Sequence, residues 1–127
     1  MRRLSSAAFA LVAAAFCTHA VAADLLDLKG SYGSPAGCKF LKTKDYSDET
    51  IVLLTPGEFQ TYASLCEFLQ VLKPADGSSV LTALCASEGE AEQSVEFLRV
   101  VKSPDGADAY EVHGQGGELQ ARVERCP

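Results

Sequence analysis

The chain has 127 residues, 47% apolar and 22% charged, with 11 basic against 17 acidic side chains and a formal net charge of −6. That length fits one principal domain and not two. The acidic balance argues against nucleic acid as a partner and against attraction to anionic membrane surfaces, both of which need clustered Lys and Arg.

The first 23 residues read as a separate unit. Arg2 and Arg3 form a basic start, Ala7 to Cys17 an apolar run, and Ala20-Val21-Ala22-Ala23 a small-residue cleavage point. This pattern predicts a secretory signal peptide over 1–23, whose apolar run is too short to span a bilayer. Cys17 follows the bulky Phe16, whereas lipoprotein processing favours a small residue there, so a soluble product is expected. Residues 24–127 then form a single disulfide-stapled, β-rich domain of 104 residues with no membrane span. Without Arg2 and Arg3 it carries 9 basic against 17 acidic residues, a formal −8.

Gly30 to Gly33 is expected as a first edge strand, and Ser34-Pro35-Ala36-Gly37 as a turn leading to Cys38. Lys39, Lys42 and Lys44, followed by Asp45, Asp48 and Glu49, read as a charged surface loop. Ile51 to Leu54 is a short β-branched apolar run and predicts a buried strand. Thr55-Pro56-Gly57-Glu58 resembles a capping box with proline at the first helical position. Phe59, Tyr62, Leu65, Cys66 and Leu69 follow at helical spacing. The expectation is a short helix over 56–64 and then a strand, with one helix through Leu72 as the alternative.

Beyond the Lys73–Gly77 turn the chain reads as a meander, with strands over Val80–Ala86, Val95–Lys102, Ala107–His113 and Leu119–Cys126. Turns fall at Ser103–Gly106 and Gly114–Gly117. Leu119, Ala121 and Val123 alternate with Gln120, Arg122 and Glu124, the pattern of a half-buried antiparallel strand. The expected fold is mainly β: a small antiparallel meander, barrel-like or sandwich-like, with one short helix and two disulfides.

Cys38, Cys66, Cys85 and Cys126 have no C-x-x-C spacing, so structural disulfides are expected rather than a metal or redox site. Four cysteines allow three pairings. A hairpin about Pro74–Gly77 would set Cys66 opposite Cys85, but that geometry is demanding. Tying separated segments favours Cys38–Cys66 with Cys85–Cys126.

His113 is the only histidine in 24–127. No nucleophile-elbow motif accompanies it, so an exposed strand-end residue is expected, with no catalytic residue and no enzyme. Glu88, Glu90 and Glu92 share one face of an extended chain. They read as a solvated connection or a partner-binding acidic edge and lack the Asp/Asn pattern of a calcium loop. Tyr32, Tyr46, Tyr62 and Tyr110 are expected at the core or rim. No cofactor or metal motif is present, and none is expected.

With the leader, Tyr62-x-x-x-Cys66, Cys85-x-x-Glu88-Gly89-Glu90 and the terminal Cys126-Pro127, the chain resembles small exported four-cysteine proteins of Gram-negative bacteria. The resemblance implies a periplasmic address and disulfides, and no activity. The expected role is a periplasmic or secreted accessory protein that binds another macromolecule, with a basic protein as partner and hydrolase inhibition as one version. Small-ligand carriage or a structural envelope role is the alternative. Oligomeric state is left open.

Overall fold

The computed structural model describes residues 25–127, so the predicted signal peptide and Cys17 lie outside the described residues. The elements are β1 (Tyr32–Gly33), α1 (Pro35–Thr43), β2 (Val52–Leu54), β3 (Glu58–Thr61), β4 (Ser64–Leu72), β5 (Ser79–Ser87), β6 (Ser94–Lys102), β7 (Ala109–His113) and β8 (Leu119–Arg125). The eight strands run antiparallel in sequence order and close into a barrel. β1, expected at an edge, instead pairs with both β2 and β8 and closes the sheet. Of the two architectures the sequence allowed, the barrel is the one formed.

A barrel of eight strands is about wide enough for its own side chains to fill. Leu54, Leu81, Ala83, Val112 and Val123 are fully buried inside it, packed with Phe59, Phe68, Leu98 and Val100. One mouth is bounded by the turns at 55–57, 73–78 and 103–108; we call it the lower mouth. Leu26 covers it as part of the same core, held there by backbone bonds from Leu25 and Leu26 to the Pro56 carbonyl at 3.1 and 2.9 Å. The upper mouth carries the turns at 62–63, 88–93 and 114–118.

Helix α1 replaces the expected turn at Ser34–Gly37 and takes in Lys39 and Lys42 of the expected charged loop, while Asp45, Asp48 and Glu49 lie exposed in the connection that follows it. Ser34 is its N-cap and accepts the Gly37 amide at 3.0 Å, and Pro35 begins the helix. The same hydroxyl donates to the Thr50 carbonyl at 2.7 Å and accepts the Val52 amide at 3.1 Å, tying the helix start to β2. The helix ends at Lys44, whose φ of 58° is left-handed and whose amide donates to the Phe40 carbonyl. Phe40 packs with Ile51 and Leu53 in a second small core outside the barrel. Full burial of such side chains stabilises by about 1.5–3 kcal/mol each. The helix sits so close to β2 that a side-chain carbon at Gly37 would collide with the Val52 carbonyl.

The expected helix over 56–64 is replaced by β3 and the start of β4. The Thr55 hydroxyl does accept the Gly57 and Glu58 amides, as a cap would, at 3.4 and 3.2 Å. The Thr55 amide, however, donates to the Glu58 carbonyl at 2.9 Å, which closes a tight turn between β2 and β3. The local cap at Thr55 is formed, but strand pairing overrides it and the chain continues as β3 rather than as a helix.

The disulfides are Cys38–Cys126 and Cys66–Cys85, which corrects the expected Cys38–Cys66 and Cys85–Cys126. Loop entropy does not distinguish the two pairings: in the chain-entropy model their summed stabilisations agree to within about 0.5 kcal/mol. Strand register decides instead. β4 and β5 place Cys66 directly opposite Cys85, with Cα atoms 4.0 Å apart, inside the barrel. That leaves Cys38 on α1 to meet Cys126 beyond β8, at a Cα separation of 5.3 Å. Two buried or half-buried disulfides are compatible with an oxidising, extracytoplasmic compartment.

Candidate functional site

The outer face of β4–β6 carries the features most suggestive of recognition. Inward positions on β5 are Leu81, Ala83 and Cys85, so Val80, Thr82, Leu84 and Ala86 point out. Register sets Leu84 beside Val95, Thr82 beside Phe97 and Val80 beside Arg99 on β6. On the other side Leu84 meets Glu67 and Val80 meets Leu72 of β4. The result is an apolar strip in which Val95, Phe97 and Leu72 remain 58%, 47% and 57% exposed. Leu69 adds to it at a bulge between Phe68 and Gln70.

Beside Phe97 lies a shallow depression of about 210 Å³, walled by Val80, Arg99, His113 and the Gly114–Gly117 turn. Arg99 is held by an ion pair to Asp76 at 3.0 Å. Hydrogen bonds from the Ser78 hydroxyl and amide, and then Arg99, keep the Asp76 carboxyl below its ordinary range. His113 is half-buried rather than exposed. Its Nδ1 lies 3.2 Å from the Gly117 carbonyl and its Nε2 3.2 Å from Glu111 Oε2.

Glu88, Glu90 and Glu92 lie exposed on the β5–β6 connection, at the upper end of the strip. The segment turns instead of extending, because Gly89 has φ +82° and the Glu90 amide donates to the Ser87 carbonyl. The three carboxylates therefore do not line one face of an extended chain. The Glu88 amide donates to the Ala63 carbonyl at 2.7 Å, which places this acidic turn beside the exposed Tyr62.

Among the described residues, the grouping with metal-ligand chemistry is Cys66, Cys85 and Glu96. Its sulfurs are joined in a disulfide, and the Glu96 carboxylate accepts from the Ser94 hydroxyl at 3.1 Å. A bonded sulfur pair offers no thiolate, so the grouping does not suit a metal. Of the other tyrosines, Tyr32 is buried and Tyr110 lies at the rim, its ring edge-on to Tyr32 at 4.8 Å. Tyr46 is exposed and packs over Phe40 at 4.4 Å while bonding the buried Gln60.

Sequence reasoning missed the apolar strip, although its signal was present. Val95-Glu96-Phe97 alternates with the polarity reversed from that of a solvated outer face. Among the described residues, the architecture is a small closed antiparallel barrel stapled by two disulfides, with one helix packed outside. No family model, curated protein or solved structure matches the chain.

Proposed function

We propose that this is a periplasmic or secreted accessory protein that docks a basic protein partner through the outer face of β4–β6. The observation that carries the reading is the exposed strip of Leu72, Val95 and Phe97 with the acidic turn at its upper end. Exposed apolar surface on an otherwise polar protein marks interaction sites, and aromatic side chains beside a pocket are common anchors. Glu88, Glu90, Glu92 and Glu67 favour a cationic rim on the partner. The formal −8 of residues 24–127 steers such a partner from a distance. The export address rests on the leader and the disulfides.

Inhibition of a basic envelope hydrolase is the version to test first, because a rigid stapled barrel loses little entropy on docking. Small-ligand carriage inside the barrel is less favoured, since the interior is occupied by its own side chains. The oxidised protein is to be titrated against a basic lysozyme at low and high salt, in parallel with Phe97→Asp. Binding that weakens with salt and is lost in the variant supports the proposal. Salt-insensitive binding, binding unchanged in the variant, or no binding counts against this version of it.

A further inference from the structure

The lower mouth of the barrel presents a chemistry opposite to that of the chain as a whole. Register pairs Tyr32 with Arg125 and Lys102 with Tyr110, and these residues line a cleft of about 480 Å³ where the N-terminal segment crosses the mouth. Lys29, Lys102 and Arg125 share its lining with Asp27 and Asp108. The carboxylates already have partners. Asp108 accepts the Tyr32 hydroxyl at 2.9 Å and pairs with Arg125 at 3.4 Å, while Asp27 pairs with Lys73 at 3.7 Å. Among the described residues, Lys29 and Lys102 have no carboxylate within 4.0 Å. The lining thus carries three cations against two carboxylates, a cationic balance within a chain of net negative charge.

We infer that the lower mouth binds a small anion, a molecule bearing a carboxylate or phosphate group, with Lys29 and Lys102 as the counter-charges. The volume falls in the range of small-molecule clefts. Two ammonium groups supply six rotatable donors, and Arg125, fixed through Asp108 and the Lys29 carbonyl, supplies an oriented edge. The half-buried Tyr110 ring gives the site an apolar wall against which a planar ligand body can lie. The site is separate from the β4–β6 face and does not depend on the docking proposed for it.

The test is an amide NMR titration of the oxidised protein with inorganic phosphate and, separately, with benzoate. It is repeated on the double variant Lys29→Met, Lys102→Met and on Phe97→Asp. The expected result is saturable shifts at Lys29, Lys102, Asp108 and Arg125 with at least one probe. Binding should be at least tenfold weaker in the double variant and unchanged in Phe97→Asp. Saturation by benzoate alone assigns an organic carboxylate, and saturation by phosphate alone a phosphate-bearing ligand. No saturable shift with either probe, or equal shifts in the folded double variant, overturns the inference.

Discussion

Tyr32 and Asp108 are 76 residues apart in sequence, yet the Tyr32 hydroxyl donates to the Asp108 carboxylate at 2.9 Å. The bond ties the shortest strand of the barrel to the turn between β6 and β7. Burial first, and then the carboxylate, push the Tyr32 phenol up to about 12. The same hydroxyl, with Arg125, holds the Asp108 carboxyl below its ordinary range.

These shifts give the Tyr32–Asp108 contact a pH dependence. A raised phenol pKa contributes stability that is complete below about 10 and is lost as pH climbs toward 12. A lowered carboxyl pKa contributes stability above the ordinary Asp range that is lost on acidification. Tyr32→Phe should therefore lower stability by about 1 kcal/mol near neutral pH, the usual worth of one such hydrogen bond. It should also flatten the alkaline limb of a melting-temperature profile. An unchanged alkaline limb would refute the assignment.

The disulfide pairs make a separate, covalent prediction. Proteolysis without reductant should release peptides linking Cys38 to Cys126 and Cys66 to Cys85, readable by mass spectrometry. The Cys38–Cys126 bridge spans 88 residues and the Cys66–Cys85 bridge 19. On the chain-entropy model, replacing each pair by serine costs about 4.6 and about 3.2 kcal/mol respectively. Urea denaturation should rank the variants in that order, and the reverse order would show that native packing outweighs the loop term.

Gly37→Ala tests the seating of α1. Alanine suits a helix interior better than glycine by about 1 kcal/mol, so propensity alone favours the change. The clash with the Val52 carbonyl opposes it, because backbone is what must give way. Overpacking of this kind costs about 1–3 kcal/mol, so the variant should melt lower than the parent. A higher melting temperature would mean that the helix can lift without loss.

Leu26→Ala tests whether the N-terminal segment closes the barrel or only lies across it. Leu26 is 3% exposed and belongs to the main core. Truncating a buried leucine costs about 2–5 kcal/mol. A loss below about 0.5 kcal/mol in chemical denaturation would show that the segment is not part of the core.

Much of the barrel was legible in the sequence because its second half follows local rules. β5 to β8 are joined by Gly- and Pro-marked turns, and each strand announces itself within a few residues of its ends. The first half was harder. Ser34-Pro35 is equally good chemistry for a turn and for a helix start, and what decides is Phe40, whose partners Ile51 and Leu53 come later in the chain. Thr55 caps a turn with the same atoms that would cap a helix. The disulfides escaped for a related reason. A hairpin about Pro74–Gly77 does offer Cys66 opposite Cys85, but a directly opposite cross-strand bridge is geometrically demanding, and only the formed register shows that β4 and β5 meet the demand. The four cysteines and the acidic turn were visible from residue types alone; the apolar strip required knowing which side of β6 faces out.

The pairing of β1 with β8 has a kinetic consequence. Every other ladder joins strands adjacent in sequence, so the meander from β2 to β8 can assemble from hairpins whose ends meet after short searches. β1 contributes two residues to its ladder with β8, and that ladder joins the two ends of the meander. Local contacts form before distant ones reward their loop-closure entropy, so this ladder is expected to form last. Cys38 and Cys126 lie immediately beside it. Trapping free thiols during oxidative refolding would then follow ring closure itself, with Cys66–Cys85 oxidised in the early population and Cys38–Cys126 appearing only in molecules whose sheet has met its own beginning.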